Sequence, residues 1–147
     1  MPGEIRLPEV GQVGVVVKDA GRAMQFYTSV LGLGPFEVFE WPRAEALVGG
    51  EVRRFGMKLA FAALGDVSLE LIQVLSGEPI HAEFVRRTGG GLHHLGFYVD
   101  GMDGWIDRFA KLGVGVLMRS TRGGGFAYLD TEALCGFIIE LLEKRRA

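Results

Sequence analysis

The 147 residues contain a single cysteine, Cys135. That excludes an intrachain disulfide and makes a reducing cytoplasm the expected compartment. Cys135 itself reads as a small core residue. No apolar run approaches the roughly 20 residues that a membrane-spanning helix needs, so no membrane partner is expected. The opening Met1-Pro2-Gly3-Glu4-Ile5-Arg6 has no apolar core of the kind that marks a signal peptide. Positive charge is not in excess either. Sixteen Lys and Arg stand against 18 Asp and Glu, for a net charge of −2 without any basic block, which argues against nucleic acid as a partner.

A hydrophobic share of 48% and a charged share of 23% are those of a soluble globular protein. The length suits one domain with a sizeable core, and we read residues 1–147 as that domain. Glycine is abundant, at 23 of 147 residues against a usual ~7%, so many tight turns or backbone-lined loops are expected.

The most informative stretch is Gly90-Gly91-Leu92-His93-His94-Leu95-Gly96-Phe97-Tyr98-Val99-Asp100. A flexible loop there runs into a strand with a metal-ligand type at its first residue. Gln12-Val13-Gly14-Val15-Val16-Val17-Lys18-Asp19 repeats the pattern, setting Gln12 on His94, Gly14 on Gly96 and Val17 on Val99. Around each copy the same series of elements can be traced. In the first, a strand over 12–18 leads to a helix that Asp19 caps and Gly32 ends. Strands over 36–41, 55–63 and 67–74 follow, the last two joined by a turn at Gly65-Asp66. Residues 42–51 show no period and read as a loop marked by Gly49-Gly50. Glu78-Pro79-Ile80 starts a short linking helix to about Arg87, and 88–91 is a loop. The second series has a strand over 94–99, a helix over 102–112 with Met102, Trp105, Ile106, Phe109 and Leu112 on its core face, and strands over 114–119, 126–130 and 137–142. Two βαβββ modules, 11–75 and 92–147 with a linker at 76–91, should bury their apolar faces in one structure.

The last strands match as well. Leu69-Glu70-Leu71-Ile72 and Ile139-Glu140-Leu141-Leu142 each set one carboxylate within an apolar strand, where it is expensive to bury without a partner. Gln12, Glu70, His94 and Glu140 thus occupy equivalent places, and a two-fold relation would bring them to one point. Two carboxylates, an amide oxygen and an imidazole suit an octahedral divalent ion with open positions, with Zn, Ni, Co, Mn and Mg all compatible. No cysteine belongs to the set, which argues against a closed structural zinc site. His93 alone reads as a surface or turn residue, His81 as part of a solvated helix, and Glu37, Glu40 and Glu51 as solvated. Arg43, Arg53 and Arg54 flank the expected loop over the site and are candidates for a carboxylate or phosphate group. Gly123-Gly124-Gly125 is a turn that substrate could approach closely.

On these motifs, with Phe26-Tyr27-Thr28-Ser29-Val30-Leu31-Gly32 and Phe137 to Glu143 added, the chain from about 11 to 143 resembles the vicinal-oxygen-chelate superfamily. That superfamily includes glyoxalase I, methylmalonyl-CoA epimerase, extradiol dioxygenases and bleomycin-resistance proteins. The resemblance implies an α+β fold in which two βαβββ modules form a cupped mixed sheet. It also implies a metal site of Gln12, Glu70, His94 and Glu140, and a homodimer. The implied chemistry is stabilisation of an enediolate after proton abstraction beside a carbonyl, with Glu140 as base and Glu70 as the opposed second carboxylate. The ligand set is similar to that of zinc-type glyoxalase I, a lactoylglutathione lyase. The segment from Glu70 to Asp100 resembles methylmalonyl-CoA epimerase more closely, which implies an isomerase acting on a CoA thioester. Two features depart from the epimerases. Gln12 stands where they usually carry histidine, and Met57-Lys58-Leu59-Ala60-Phe61 lacks the acid that some carry there. Glutathione-binding features of glyoxalase I are not evident. The two-histidine, one-carboxylate set of an iron dioxygenase is not matched. A non-catalytic binder of the bleomycin-resistance type is the rival class, against which the full ligand set argues.

Overall fold

The computed structural model describes residues 5–145, so the first four residues of the polar N-terminal lead, and with them most of the stretch read as lacking a signal core, lie outside it. The first half runs β1 (Gln12–Val16), α1 (Ala20–Ser29), β2 (Glu37–Val48), β3 (Glu51–Leu64) and β4 (Val67–Gly77). After α2 (Ile80–Thr88), the second half runs β5 (Gly91–Val99), α3 (Met102–Lys111), β6 (Val116–Ser120), β7 (Phe126–Leu129), α4 (Glu132–Cys135) and β8 (Ile138–Glu143). The strands close in the order β1-β4-β3-β2-β6-β7-β8-β5, a strongly curved mixed sheet in which each half repeats the other. β1 lies parallel to β4 as β5 does to β8, and the halves meet along the antiparallel pairs β1–β5 and β2–β6.

Local chemistry explains the elements. Asp19 accepts a hydrogen bond from the Arg22 backbone N–H and caps α1, as its residue type suggests. The turn between β3 and β4 is Gly65-Asp66, with Gly65 at a φ of 64° that side chains other than glycine's rarely adopt. No side chain of its own caps α3; the Glu143 carboxylate does so from β8, accepting from the Gly101 and Met102 N–H groups.

Strands such as β4 are apolar throughout because both of their faces are covered. On the outer face, Leu69 and Leu71 pack with Ala60 beneath α1, and Ile139 and Leu141 pack with Met102 and Phe109 of α3. On the inner face, Ile72 joins Val16, Phe55, Met57, Met118 and Ile138, closed off by Phe84 of α2. Glu70 and Glu140 therefore sit on the inner face by the two-residue period of a strand.

Several expectations are corrected. Residues 42–48 are not a loop: β2 continues to Val48, and its tight turn is Gly49-Gly50 alone. A bulge at Pro42-Arg43, between Trp41 and Ala44 in the register, accommodates the proline that cannot donate to the ladder. The greater length of the first half is taken up by this long β2–β3 ribbon. Cys135 is exposed, at the end of the short α4 that its sequence does not announce. His81 and His93 are buried rather than solvated, and Leu112 is exposed while the rest of the α3 stripe packs inward.

Candidate metal centre

The register brings the four polar residues together through two glycines. Gly14 lies between Glu70 on one side and His94 on the other, and Gly96 lies between Gln12 and Glu140. A Cβ on Gly14 would fall within the His94 ring, and one on Gly96 would stand 3.0 Å from Gln12 Cβ. Each half thus supplies the bare backbone over which the other half's ligand-type side chain lies. This is the two-fold relation that the repeat implies.

His94 Nε2 lies 3.3 Å from Glu70 Oε1 and 3.2 Å from Glu140 Oε1. One ligand atom from each of Glu70, His94 and Glu140 falls within 4.8 Å of the others. Gln12 lines the same cavity, and all four residues are buried. Gln12 Oε1, Glu70 Oε1, His94 Nε2 and Glu140 Oε1 have no hydrogen-bond partner. The imidazole and carboxylates are near enough to attract but are not aligned to bond. Four buried, unsatisfied polar atoms in one place are costly unless something else binds them. Three oxygens and one imidazole nitrogen fit a divalent cation.

The electrostatics agree. Burial disfavours a charged His94, but Glu140 and then Glu70 outweigh it and raise the ring to about 9, which favours the imidazolium between the two carboxylates. Burial raises the Glu70 carboxyl against the lowering effect of His94. Burial also raises the Tyr128 hydroxyl well above its ordinary value, with Glu140 and Glu70 adding to it.

The cavity measures about 850 Å³, and Trp41, Phe55, Met57, Leu59 and Phe61 make much of its wall apolar. The Gly123–Gly125 turn lines it. Arg43, Arg53 and Arg54 do not line it. Arg53 donates to the Glu78 carbonyl and Arg54 pairs with Glu45, because the loop expected to carry them is the strand ribbon β2–β3. The cations at the cavity are Lys144 and Arg145, in a basic run that follows β8 in the sequence and could have been singled out. Residue types alone also miss His81 and Tyr128. His81 Nε2 and Tyr128 OH are 3.1 Å apart, and Tyr128 faces Glu140 across β7–β8. The only signal for Tyr128 is its alternation with outward residues along the strand over 126–130.

Residues 11–129 match the family model of the Glyoxalase/Bleomycin resistance protein/Dioxygenase superfamily. The chain belongs to that superfamily. Among curated proteins it is 28% identical over 145 residues to the uncharacterized protein YqjC of Bacillus subtilis (strain 168), covering 95% of this chain and 93% of that one. It is 26% identical over 141 residues to the mitochondrial methylmalonyl-CoA epimerase of Mus musculus, covering 92% and 73%. The crystal structure of methylmalonyl-CoA epimerase from Mycobacterium tuberculosis has the same fold, with a TM-score of 0.67 at 21% identity over 99% of this chain and 94% of that one. Among the described residues, no helix is long and apolar enough to cross a membrane.

Proposed function

We propose that this chain is a divalent-metal-dependent isomerase that epimerises a carbon beside the carbonyl of a CoA thioester, in the manner of methylmalonyl-CoA epimerase. The observation that carries this reading is the set of four buried, unpartnered ligand atoms on Gln12, Glu70, His94 and Glu140, of which Gln12, Glu70 and Glu140 line a cavity with a largely apolar wall. Those four residues would hold the ion. A divalent cation held there would supply Lewis-acid stabilisation of the negative charge that develops as the proton beside the carbonyl leaves.

In this reading Glu140 accepts the proton from the substrate carbon. The C–H electron pair moves toward the carbonyl, and a proton returned to the other face of the carbon inverts it. Glu70, on a strand of the other half, is the second carboxylate and returns the proton in this reading. Met57, Leu59 and Phe61 exclude water from the reacting carbon. Lys144 and Arg145 offer cations to the phosphates of the CoA portion. We expect a cytoplasmic homodimer, a form supported by the lone cysteine and by exposed apolar residues such as Val38 and Phe39 on β2.

Gln12 favours a second reading, a glyoxalase I-like lyase, and the two readings part on substrate. Protein purified without chelator should carry one divalent ion per chain. It should also exchange the α-proton of methylmalonyl-CoA in deuterated buffer, with Glu140→Gln slower by about 10²–10⁴-fold. Exchange absent from methylmalonyl-CoA but turnover of a glutathione hemithioacetal would select the lyase. A chain that neither carries nor takes up an ion is instead a ligand-binding protein.

A further inference from the structure

The second half carries a histidine that the first half lacks. With Gln12 set on His94, His93 falls on Gly11. Its place in the ladder is irregular too. Gly14 faces His94 and Val15 faces Leu92, so one step along β1 answers two along β5 and His93 is the bulged residue. Successive side chains of a regular strand point to opposite faces. Here two consecutive rings are both buried, at 2% and 1% exposure, with their Nδ1 atoms 2.8 Å apart. The His93 ring is held by the stacked His81 ring at 4.6 Å and the edge-on Phe84 ring at 4.8 Å.

Two ring nitrogens at that separation share one proton, so one ring donates and the other accepts. His94 directs Nε2 at Glu70 and Glu140. With Nε2 engaged as a ligand, the proton of a neutral His94 ring resides on Nδ1. His93 Nδ1 is then the acceptor, and His93 carries its own proton on Nε2, a buried atom without a hydrogen-bond partner, while the residue lines a second cavity of about 480 Å³ beneath α2.

We propose that His93 is a positioning residue, whose Nδ1 accepts the Nδ1–H of His94 and so fixes the tautomer and ring plane that present His94 Nε2 to the ion. This role rests on the reading of Gln12, Glu70, His94 and Glu140 as ligands. It is tested by Co²⁺ titration in the visible range against a chelating competitor. His93→Phe keeps a ring of similar size without an acceptor, whereas His93→Asn keeps an acceptor near the place of Nδ1. We expect His93→Phe to bind Co²⁺ about 10–100-fold more weakly and His93→Asn to recover most of that loss. Long-range ¹H–¹⁵N spectra of the metal-free wild-type protein should show His93 with its proton on Nε2, a readout that packing alone does not set. Wild-type uptake with His93→Phe unchanged, or with both variants weakened alike, overturns the role of His93 and leaves the ion site standing. A proton found on His93 Nδ1 also overturns it. A wild-type protein that takes up no Co²⁺ overturns the ion reading, and this role with it.

Discussion

His94 is held between two carboxylates, whose charge favours the protonated ring. Because burial and the carboxylates together set that ring at about 9, it is charged at neutral pH, and any ion entering the site must displace its Nε2 proton. One proton lost per ion implies an apparent affinity that rises about tenfold per pH unit below 9 and levels off above it. Calorimetry in buffers of different ionisation enthalpy would count that proton; affinity that does not change between pH 6 and 8 would contradict the shift. The same group sets the sign of stability. His94 has a folded-state value above its ordinary 6.5, so its contribution is complete below 6.5 and disappears as pH rises through about 9. Glu70 is raised as well and acts in the same direction from a lower starting point. The metal-free protein should accordingly lose stability from neutral to mildly alkaline pH in denaturant titrations, and the metal-loaded protein should not.

The strands, more than the individual ligands, decide whether the site exists. Gly14 leaves room for the His94 ring, and that ring is bonded to His93 and so cannot readily move away. Gly14→Ala should destabilise the fold by about 1–3 kcal/mol through overpacking and abolish tight ion binding. Gly104→Ala, in α3 where an added Cβ meets nothing within 4 Å, should stabilise it by about 0.5–1 kcal/mol. Opposite shifts in the urea midpoint would check the pair, and a Gly14→Ala protein as stable as wild type would mean that the ring is not fixed. The same scale shows what could be read in advance. The repeat, the Gly65-Asp66 turn and the four inward residues follow from periods of two and 3.6 and from turn chemistry, all local properties of the chain. The strand at 42–48 was hidden because Pro42 denies a ladder bond, and only the bulge opposite β3 makes the residue tolerable there. His81 and His93 look solvated by residue type. Their burial comes from α2 folding over β5 and from a bulge set by pairing with β1, neither of which appears in a local pattern. Cys135 fails the other way, an apolar residue type left exposed by a one-turn helix.

At the scale of the molecule, the four ligand-type residues come from β1, β4, β5 and β8, two strands from each half, and β1–β5 is a seam between the halves. An ion bound there ties both halves together and binds only when the sheet is closed, so binding free energy becomes folding free energy. With free ion at 1,000 times its Kd, the gain is about 4.1 kcal/mol. For a chain near 150 residues, each kcal/mol is worth roughly 2–4 °C in Tm, so saturation should raise Tm by roughly 8–16 °C. A chelator should reverse the rise, and Glu140→Gln should remove most of it while leaving a folded protein. The variant exchanges one buried carboxylate for a neutral amide of the same shape and removes the main partner of the His94 proton, so its ion-dependent rise is read against its own metal-free Tm. A scanning-calorimetry comparison of wild type and Glu140→Gln, each with and without Co²⁺ or Zn²⁺, separates these effects. Equal melting temperatures for wild-type protein with and without ion would mean that the four residues do not act as one site.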